Sequence, residues 1–207
     1  MSGVTHDEVY EELTGGRARE WTLRALSGAV RAVRHPLGFV CLPLERRGGD
    51  GVCVHLWSGA LAHAESTTSQ IHCHSWDLFS HVLYGQIRNV HVDVTDAGPD
   101  ATHRVFEVVS DVTGDHLTPT GRTVRHATGL VEAFGPGDSY TLGAGRFHSS
   151  LVPEGGEAAT IALGRGRPGS RDLSLGPLAG RGHHVARQPL DAEETARAVG
   201  LIAAHLT

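Results

Sequence analysis

Two histidines separated by a single residue are the strongest chemical signal in this sequence. His72 and His74 lie within residues 71–77, where the apolar residues on either side predict a β-strand. Successive side chains of a strand point to opposite faces, so both imidazoles are expected on one face, where they could share a metal ion. Cys73 lies between them and would point the other way, which favours packing over nucleophilic chemistry.

Two segments of the chain resemble the paired motifs of the cupin superfamily. In the first motif of that family, a His-x-His pair is followed by a glutamate and then by a glycine, which here is Gly85. In the second motif, a glycine precedes a Pro-x-Gly turn, a histidine and an asparagine. Gly137 and His148 keep this second spacing at every step, although Gly143 replaces the proline and Val152 replaces the asparagine.

The resemblance implies a small antiparallel β-barrel that holds one divalent metal ion through His72, His74 and His148. Fe(II) is the expected ion, with Zn(II), Ni(II) or Mn(II) as alternatives. Coordination chemistry independently supports this ligand set. An imidazole from another strand could join the His-x-His pair on the metal ion and leave open coordination positions. The competing interpretation is that the histidines are ordinary polar residues of strands.

The sequence departs from the family at the position of the carboxylate ligand. Leu78 occupies the glutamate position and cannot bind a metal. The site would then have three histidines, as in the thiol dioxygenase branch of the cupins, unless Asp77 acts as a displaced ligand. Strict strand alternation disfavours that ligand, and a β-bulge would allow it. Asp77 could also accept a hydrogen bond from a metal-bound imidazole, or belong to a turn.

Two more residues are candidates for a catalytic role. His91 and Asn89 follow on the next strand, in positions that similar barrels turn inward, and His91 could carry a proton. Arg146 precedes His148 by two residues, and its guanidinium could bind a substrate carboxylate in a bidentate manner. A solvent-exposed position is the plain alternative for both.

These residues support three functional hypotheses. The first is a mononuclear non-haem Fe(II) dioxygenase that acts on a small polar metabolite, of the amino-acid or thiol class, together with O2. The second is a Zn, Ni or Mn enzyme that catalyses an isomerase, lyase or cyclase reaction, with the metal as Lewis acid and His91 or Asp77 as the proton carrier. The third is a non-catalytic ligand-binding barrel. A homodimer is a further expectation, because barrels of this kind often pair through their outer strands.

Composition excludes several other classes of function. The formal net charge of −5 is spread without blocks and gives no general attraction to nucleic acid or to a membrane surface. The chain has no lysine for a Schiff base. No apolar run or signal sequence is evident, so a cytoplasmic location is expected. Cys41, Cys53 and Cys73 form no CxxC pair, which predicts reduced thiols and no thiolate zinc site.

The elements that must position these residues can be predicted from periodicity. Thr5 and Glu8 have the spacing of a capping box for a first helix, and the apolar spacing of residues 18–33 predicts a second. Asp191 and Glu194 open a last helix in the same way. Between them, about ten short apolar runs broken by glycine indicate an antiparallel barrel or jelly roll. A loop or lid is predicted over residues 164–182.

The predicted division of the chain is therefore threefold. Residues 1–36 form an N-terminal helical segment, residues 37–164 the all-β barrel, and residues 165–207 a loop and a C-terminal helix that packs on the barrel. At 207 residues, the chain is long enough for one domain with a sizeable core.

Overall fold

The computed structural model describes residues 5–207, so the first four residues of the predicted N-terminal segment lie outside the described part. The helices there are α1 (His6–Thr14), α2 (Ala18–Leu26) and α3 (Ala192–Leu206). The strands are β1 (Val33–His35), β2 (Phe39–Arg47), β3 (Asp50–Trp57), β4 (His72–Cys73), β5 (Trp76–Tyr84), β6 (Ile87–Asp96), β7 (His103–Ser110), β8 (Gly114–Phe134), β9 (Ser139–Leu142), β10 (His148–Leu151), β11 (Ala158–Gly166), β12 (Asp172–Pro177), β13 (His183–Ala186) and β14 (Gln188–Pro189).

The strands form two antiparallel sheets of seven strands each. The order in the first sheet is β14-β1-β2-β3-β11-β5-β9, and the order in the second is β13-β8-β6-β10-β4-β12-β7. In the second sheet β7 also pairs with β8, so β8, β6, β10, β4, β12 and β7 close into a ring. The predicted antiparallel barrel with N-terminal helices and one C-terminal helix is confirmed.

The largest apolar core lies between the helices and the outer face of the first sheet. Trp21 of α2 and Ile202 of α3 are buried there together with Leu42 of β2, Val54 of β3 and Ile161 of β11. The helices cover this face because their own apolar residues recur at helical spacing. The sheet therefore carries an apolar outer face, and its alternate residues are left to line the interior of the protein.

Both predicted capping boxes are present. The Thr5 side chain accepts a hydrogen bond from the backbone N–H of Glu8, and the Glu8 carboxylate accepts one from the backbone N–H of Thr5. Asp191 and Glu194 make the same reciprocal pair at the start of α3. Each box satisfies backbone N–H groups that the first turn of a helix leaves without partners.

The predicted second helix is too long. Helix α2 ends at Leu26, and Ser27 closes it with a backbone N–H bonded to the carbonyls of Leu23 and Arg24. Its hydroxyl also donates to the carbonyl of Arg24 at 2.7 Å. The residues after Gly28 then join the first sheet through β1, which pairs with β2 and β14. In this segment, hydrogen bonding to neighbouring strands therefore determines the structure, although the apolar residues have helical spacing.

The predicted loop over residues 164–182 is also wrong in part, because it contains β12. This strand runs between β4 and β7, with Leu173 opposite Cys73 and Ser174 opposite His72. Leu175 is fully buried in a core that also includes Cys73. Alternation of Leu173, Ser174 and Leu175 is the pattern of a strand, and the surrounding glycines and arginines mask it.

Among the described residues, none of the helices is long and apolar enough to cross a membrane.

Candidate metal centre

The three predicted metal ligands meet at neighbouring positions of the second sheet. His148 of β10 lies directly opposite His72 of β4, and on its other side it lies opposite His91 of β6. Residues opposite each other in an antiparallel pair project to the same face. The sheet therefore presents a row of imidazoles, and His74 joins this row from just beyond the end of β4.

The geometry of this group suits a metal ion. One ring nitrogen from each of His72, His74 and His148 can be chosen so that all lie within 4.8 Å of one another. The Nε2 atoms of His74 and His148 are 3.2 Å apart. Ligands bound to one ion at about 2.0–2.1 Å would be about 3.0–3.4 Å apart. The measured separation is therefore that expected of two ligands of one ion.

Hydrogen bonds fix which nitrogen of each ring faces the centre. The Nδ1 of His148 donates to the amide oxygen of the buried Asn89 at 2.8 Å. The Nδ1 of His72 donates to the backbone carbonyl of Gln70 at 2.9 Å. In both rings the proton is then on Nδ1, so the lone pair of Nε2 is free to bind a metal. The ring of His74 is oriented by stacking on Trp76, with 4.0 Å between ring centroids.

Burial keeps all three imidazoles neutral. It lowers the pKa of His72 below its ordinary value. Burial also holds the pKa of His74 and that of His148 well below the usual range, and repulsion from the neighbouring imidazoles adds to the effect. A neutral imidazole has the lone pair that metal binding requires. The site is therefore ready to bind a cation at neutral pH without first losing protons.

Asp77 is held away from the histidine group. Its Oδ2 accepts from Nε of Arg167 at 2.6 Å and also from Nη2 of the same guanidinium. Its Oδ1 accepts from the backbone N–H of Ala144 at 2.9 Å. These bonds lower the pKa of Asp77, with the hydrogen bond from Arg167 as the main cause. Asp77 thus links the strand after His74 to the turn before His148 and positions both segments.

No carboxylate joins the three histidines within residues 5–207. Leu78, in the position of the family's glutamate, is buried in an apolar cluster with Val82 and Leu142. The group is accordingly one of neutral ligands, and a divalent ion bound there would keep its full charge.

His91 and Arg146 differ in their relation to the site. His91 lies in the same row as His148, and its Nε2 donates to Glu132 at 2.9 Å. That nitrogen also lies 3.2 Å from the amide nitrogen of Asn89, the partner of His148. Arg146 is exposed on the turn before β10 and does not line the cavity beside the histidines. The structure therefore brings His91 near the centre and leaves Arg146 at the surface.

A cavity of about 560 Å³ adjoins the histidine group. Its walls include His72, His74 and Trp76, as well as Asp115 and Arg187. Nη2 of Arg187 donates to Asp115 at 2.9 Å, while its Nε is buried and has no hydrogen-bond partner. A buried donor without a partner costs free energy unless a ligand satisfies it. The volume suits a small molecule.

Sequence reasoning did not single out Asp115 or Arg187, because they lie far along the chain from both motifs. It did identify Asn89, together with His91, as a residue that could turn inward, because similar barrels turn these positions inward. The structure shows Asn89 as the hydrogen-bond partner of His148.

Replacing Asn89 by alanine should weaken metal binding without removing a ligand. The change takes away the acceptor that fixes the tautomer and orientation of His148, and loss of such a partner typically costs about 10–100-fold in metal affinity. The measurement is titration of the metal-free protein with Fe(II) under anaerobic conditions. Asn89→Asp restores an acceptor at the same place and is expected to recover most of the affinity. Equal affinity of the wild type and Asn89→Ala would contradict this role of Asn89.

No family model matches the chain, and no curated protein sequence matches it. Among solved structures, hydroquinone 1,2-dioxygenase PnpCD, in complex with Cd2+ and 4-hydroxybenzonitrile, is similar over 61% of this chain and 63% of its own, with 16% identity and a TM-score of 0.35. The hydroquinone 1,2-dioxygenase from Sphingomonas sp. TTNP3 matches over 59% and 63%, with 15% identity and a TM-score of 0.33. L-ribose isomerase from Cellulomonas parahominis matches over 96% and 97%, with 13% identity and a TM-score of 0.37.

The matched segment spans less than two thirds of the hydroquinone dioxygenase chains. Similarities at this level of identity and TM-score say nothing about activity or substrate. The antiparallel barrel and the group of three histidines support the predicted resemblance to the cupin superfamily.

Proposed function

We propose that this protein is a mononuclear metal-dependent oxygenase. In this proposal His72, His74 and His148 hold one Fe(II) ion, and the protein oxidises a small polar metabolite, of the amino-acid or thiol class, with dioxygen. The observation that carries the proposal is the convergence of three neutral imidazoles beside a cavity, without a carboxylate. Such a ligand set suits a redox-active ion that must keep its charge and its open positions.

Bound Fe(II) would supply redox chemistry and open coordination positions for the substrate and O2. The protein supplies the orientation of the ligands. Asn89 and the carbonyl of Gln70 fix two of the rings by accepting from Nδ1. Trp76 stacks on the third ring and limits its rotation. Their geometry is set before any ligand binds, which is how a folded site avoids reorganisation during the reaction.

Arg187 is the better candidate than Arg146 for binding a polar substrate. It lines the cavity, whereas Arg146 lies outside it. Its Nε donor is buried and unpartnered, so a substrate oxygen could accept from it. Asp115 bonds the other end of the guanidinium and limits its movement. The cavity is thus lined both by proposed metal ligands and by a cationic donor, a combination suited to a small molecule with a carboxylate or similar acceptor.

The proposal is tested by anaerobic reconstitution of tag-free protein with Fe(II), followed by measurement of O2 uptake with a panel of amino acids and thiols. We expect uptake only when both iron and substrate are present, and a loss of at least about 100-fold in His148→Ala, where one ligand is missing. Cys73→Ser is the matched control, because Cys73 lies between His72 and His74 in the sequence but is not one of the three converging ligands. Its thiol belongs to an apolar cluster with Val92 and Leu175.

Two results would contradict the proposal that the protein is an oxygenase. Protein that holds zinc at the three histidines, shown by the loss of one zinc equivalent in His148→Ala, and that stays inert with iron would count against it. Full turnover of a substrate in the absence of oxygen would instead favour a Zn, Ni or Mn isomerase, lyase or cyclase. The predicted homodimer and cytoplasmic location remain predictions.

A further inference from the structure

We propose a second metal site in this protein, formed by Cys41, Cys53 and His55 and selective for Zn2+. One ligand atom from each of the three residues can be chosen so that all lie within 4.8 Å of one another. The site shares no residue with the three-histidine group and does not depend on the proposed oxygenase function.

The register of two strands brings these residues together. In the pairing of β2 with β3, Cys41 lies directly opposite His55, and Pro43 lies opposite Cys53. Opposite residues project to the same face, and Cys53 and His55 are two residues apart on one strand. All three side chains therefore project from the same side of the first sheet.

That side faces the interior of the protein. The alternate residues Val40, Leu42 and Val54 belong to the core under the helices, so the opposite face carries the cysteines and His55. Cys53 lines the same cavity as His72 and His74. The proposed site thus lies in the wall of the cavity, on the sheet opposite the histidine group.

The donor set determines the metal. Two thiolates and one imidazole are soft and borderline ligands, which favour Zn2+ over the oxygen-seeking Mg2+ and Ca2+. Two thiolates also balance the charge of a divalent ion, unlike three imidazoles. In a tetrahedral zinc site, neighbouring ligand atoms are about 3.3–3.8 Å apart. The three ligand atoms lie within 4.8 Å of one another, so they need to move only slightly closer together to bind one ion. The adjoining cavity leaves room for a fourth ligand such as water.

The side chains are in a state that suits binding. Both cysteines are free and half-buried. The His55 ring packs against Phe39, with 4.4 Å between centroids, which limits its rotation.

Titration of the full-length, metal-free protein with Co2+ tests the proposal, with the thiols kept reduced by a phosphine. Cobalt bound to thiolate absorbs strongly in the near ultraviolet through sulfur-to-metal charge transfer, whereas an all-imidazole site lacks this band. We expect two equivalents of Co2+ to bind. The equivalent at the cysteine site should produce the charge-transfer band, and the equivalent at the three histidines should not. Zn2+ should displace the first and abolish the band.

Three variants separate this site from the histidine group. Cys53→Ser is expected to lose the charge-transfer band and one equivalent of Co2+. His148→Ala is expected to keep the band and lose the other equivalent, so failure of the oxygenase proposal would be seen independently. Cys73→Ser removes a thiol that lies in another core and should keep both equivalents.

The wild-type spectrum alone can overturn the proposal, even if a variant fails to fold. A protein with three titratable thiols and no charge-transfer band at saturating Co2+ has no such site. A band that persists undiminished in folded Cys53→Ser would also exclude it.

Discussion

His148→Ala is expected to bind about one Fe(II) per chain less than the wild type after anaerobic reconstitution. His148 provides one of the three converging nitrogens, and its Nε2 lies 3.2 Å from that of His74. Two imidazoles alone cannot compete with water for the ion as three can. Since loss of a hydrogen-bond partner of a ligand costs about 10–100-fold in affinity, loss of the ligand itself should cost more. Iron content per chain, measured with a colorimetric chelator, is the readout.

Asp77→Asn is the informative comparison for this variant. Asp77 accepts from Arg167 and from the backbone of Ala144, and it does not belong to the three-histidine group. Asparagine keeps an oxygen that can accept from the backbone N–H of Ala144, so the two segments stay connected and the variant should keep its iron. A wild-type iron content in His148→Ala, combined with loss in Asp77→Asn, would show that the ion is bound around Asp77 instead. Circular dichroism of both variants confirms that the fold is retained.

The sequence was sufficient to predict the parts of the fold that depend on local rules. Both capping boxes could be predicted because each needs only two residues at a fixed spacing. The placement of Cys73 away from the histidine face follows from strand alternation alone, and the structure buries it in a separate core. Its burial raises the pKa of the thiol to about 11, in keeping with an unreactive, packed side chain.

The errors arose where partners distant in the chain decide the local structure. The residues after Ser27 have helical spacing, but pairing of β1 with β2 and β14 draws them into a sheet. Strand β12 is flanked by glycine and arginine, and it is stabilised by β4 and β7 on either side. The strands that pair with β1 and β12 are distant in the sequence, so a short segment of sequence does not identify them. Tertiary contacts override the local propensity in both cases.

The same reason explains what was found and missed around the candidate site. His148 could be predicted because a motif spacing connects it with the His-x-His pair. Arg187 could not, since only the fold brings it to the cavity. The grouping of Cys41, Cys53 and His55 was equally hidden, because the prediction of no thiolate zinc site considered only the spacing of cysteines along the chain. Their proximity depends instead on the register of β2 and β3.

Gly85→Ala is expected to be among the most destabilising single substitutions in this protein. Gly85 follows β5 in the tight turn to β6 and has a φ of +76°. A Cβ there would lie 2.1 Å from the carbonyl oxygen of Glu157 and 2.7 Å from Cα of Ala158. These are backbone atoms at the start of β11, which cannot rotate away. The left-handed conformation costs a residue with a Cβ about 1–2 kcal/mol, and overpacking adds about 1–3 kcal/mol.

The combined cost of about 3 kcal/mol corresponds to a decrease of about 6–12 °C in Tm for a chain of this size. Thermal unfolding followed by circular dichroism measures it. Gly137→Ala is the matched control, since Gly137 has a φ of +86° but no atom within 4 Å of the added Cβ. Its free energy of unfolding should fall only by the cost of the left-handed conformation, about 1–2 kcal/mol. Each glycine matches a glycine of one of the two motifs, so the motif resemblance alone would predict equal losses of stability. Only the close approach of β11 predicts that Gly85→Ala is the worse of the two, and equal Tm values would exclude that contact as the cause.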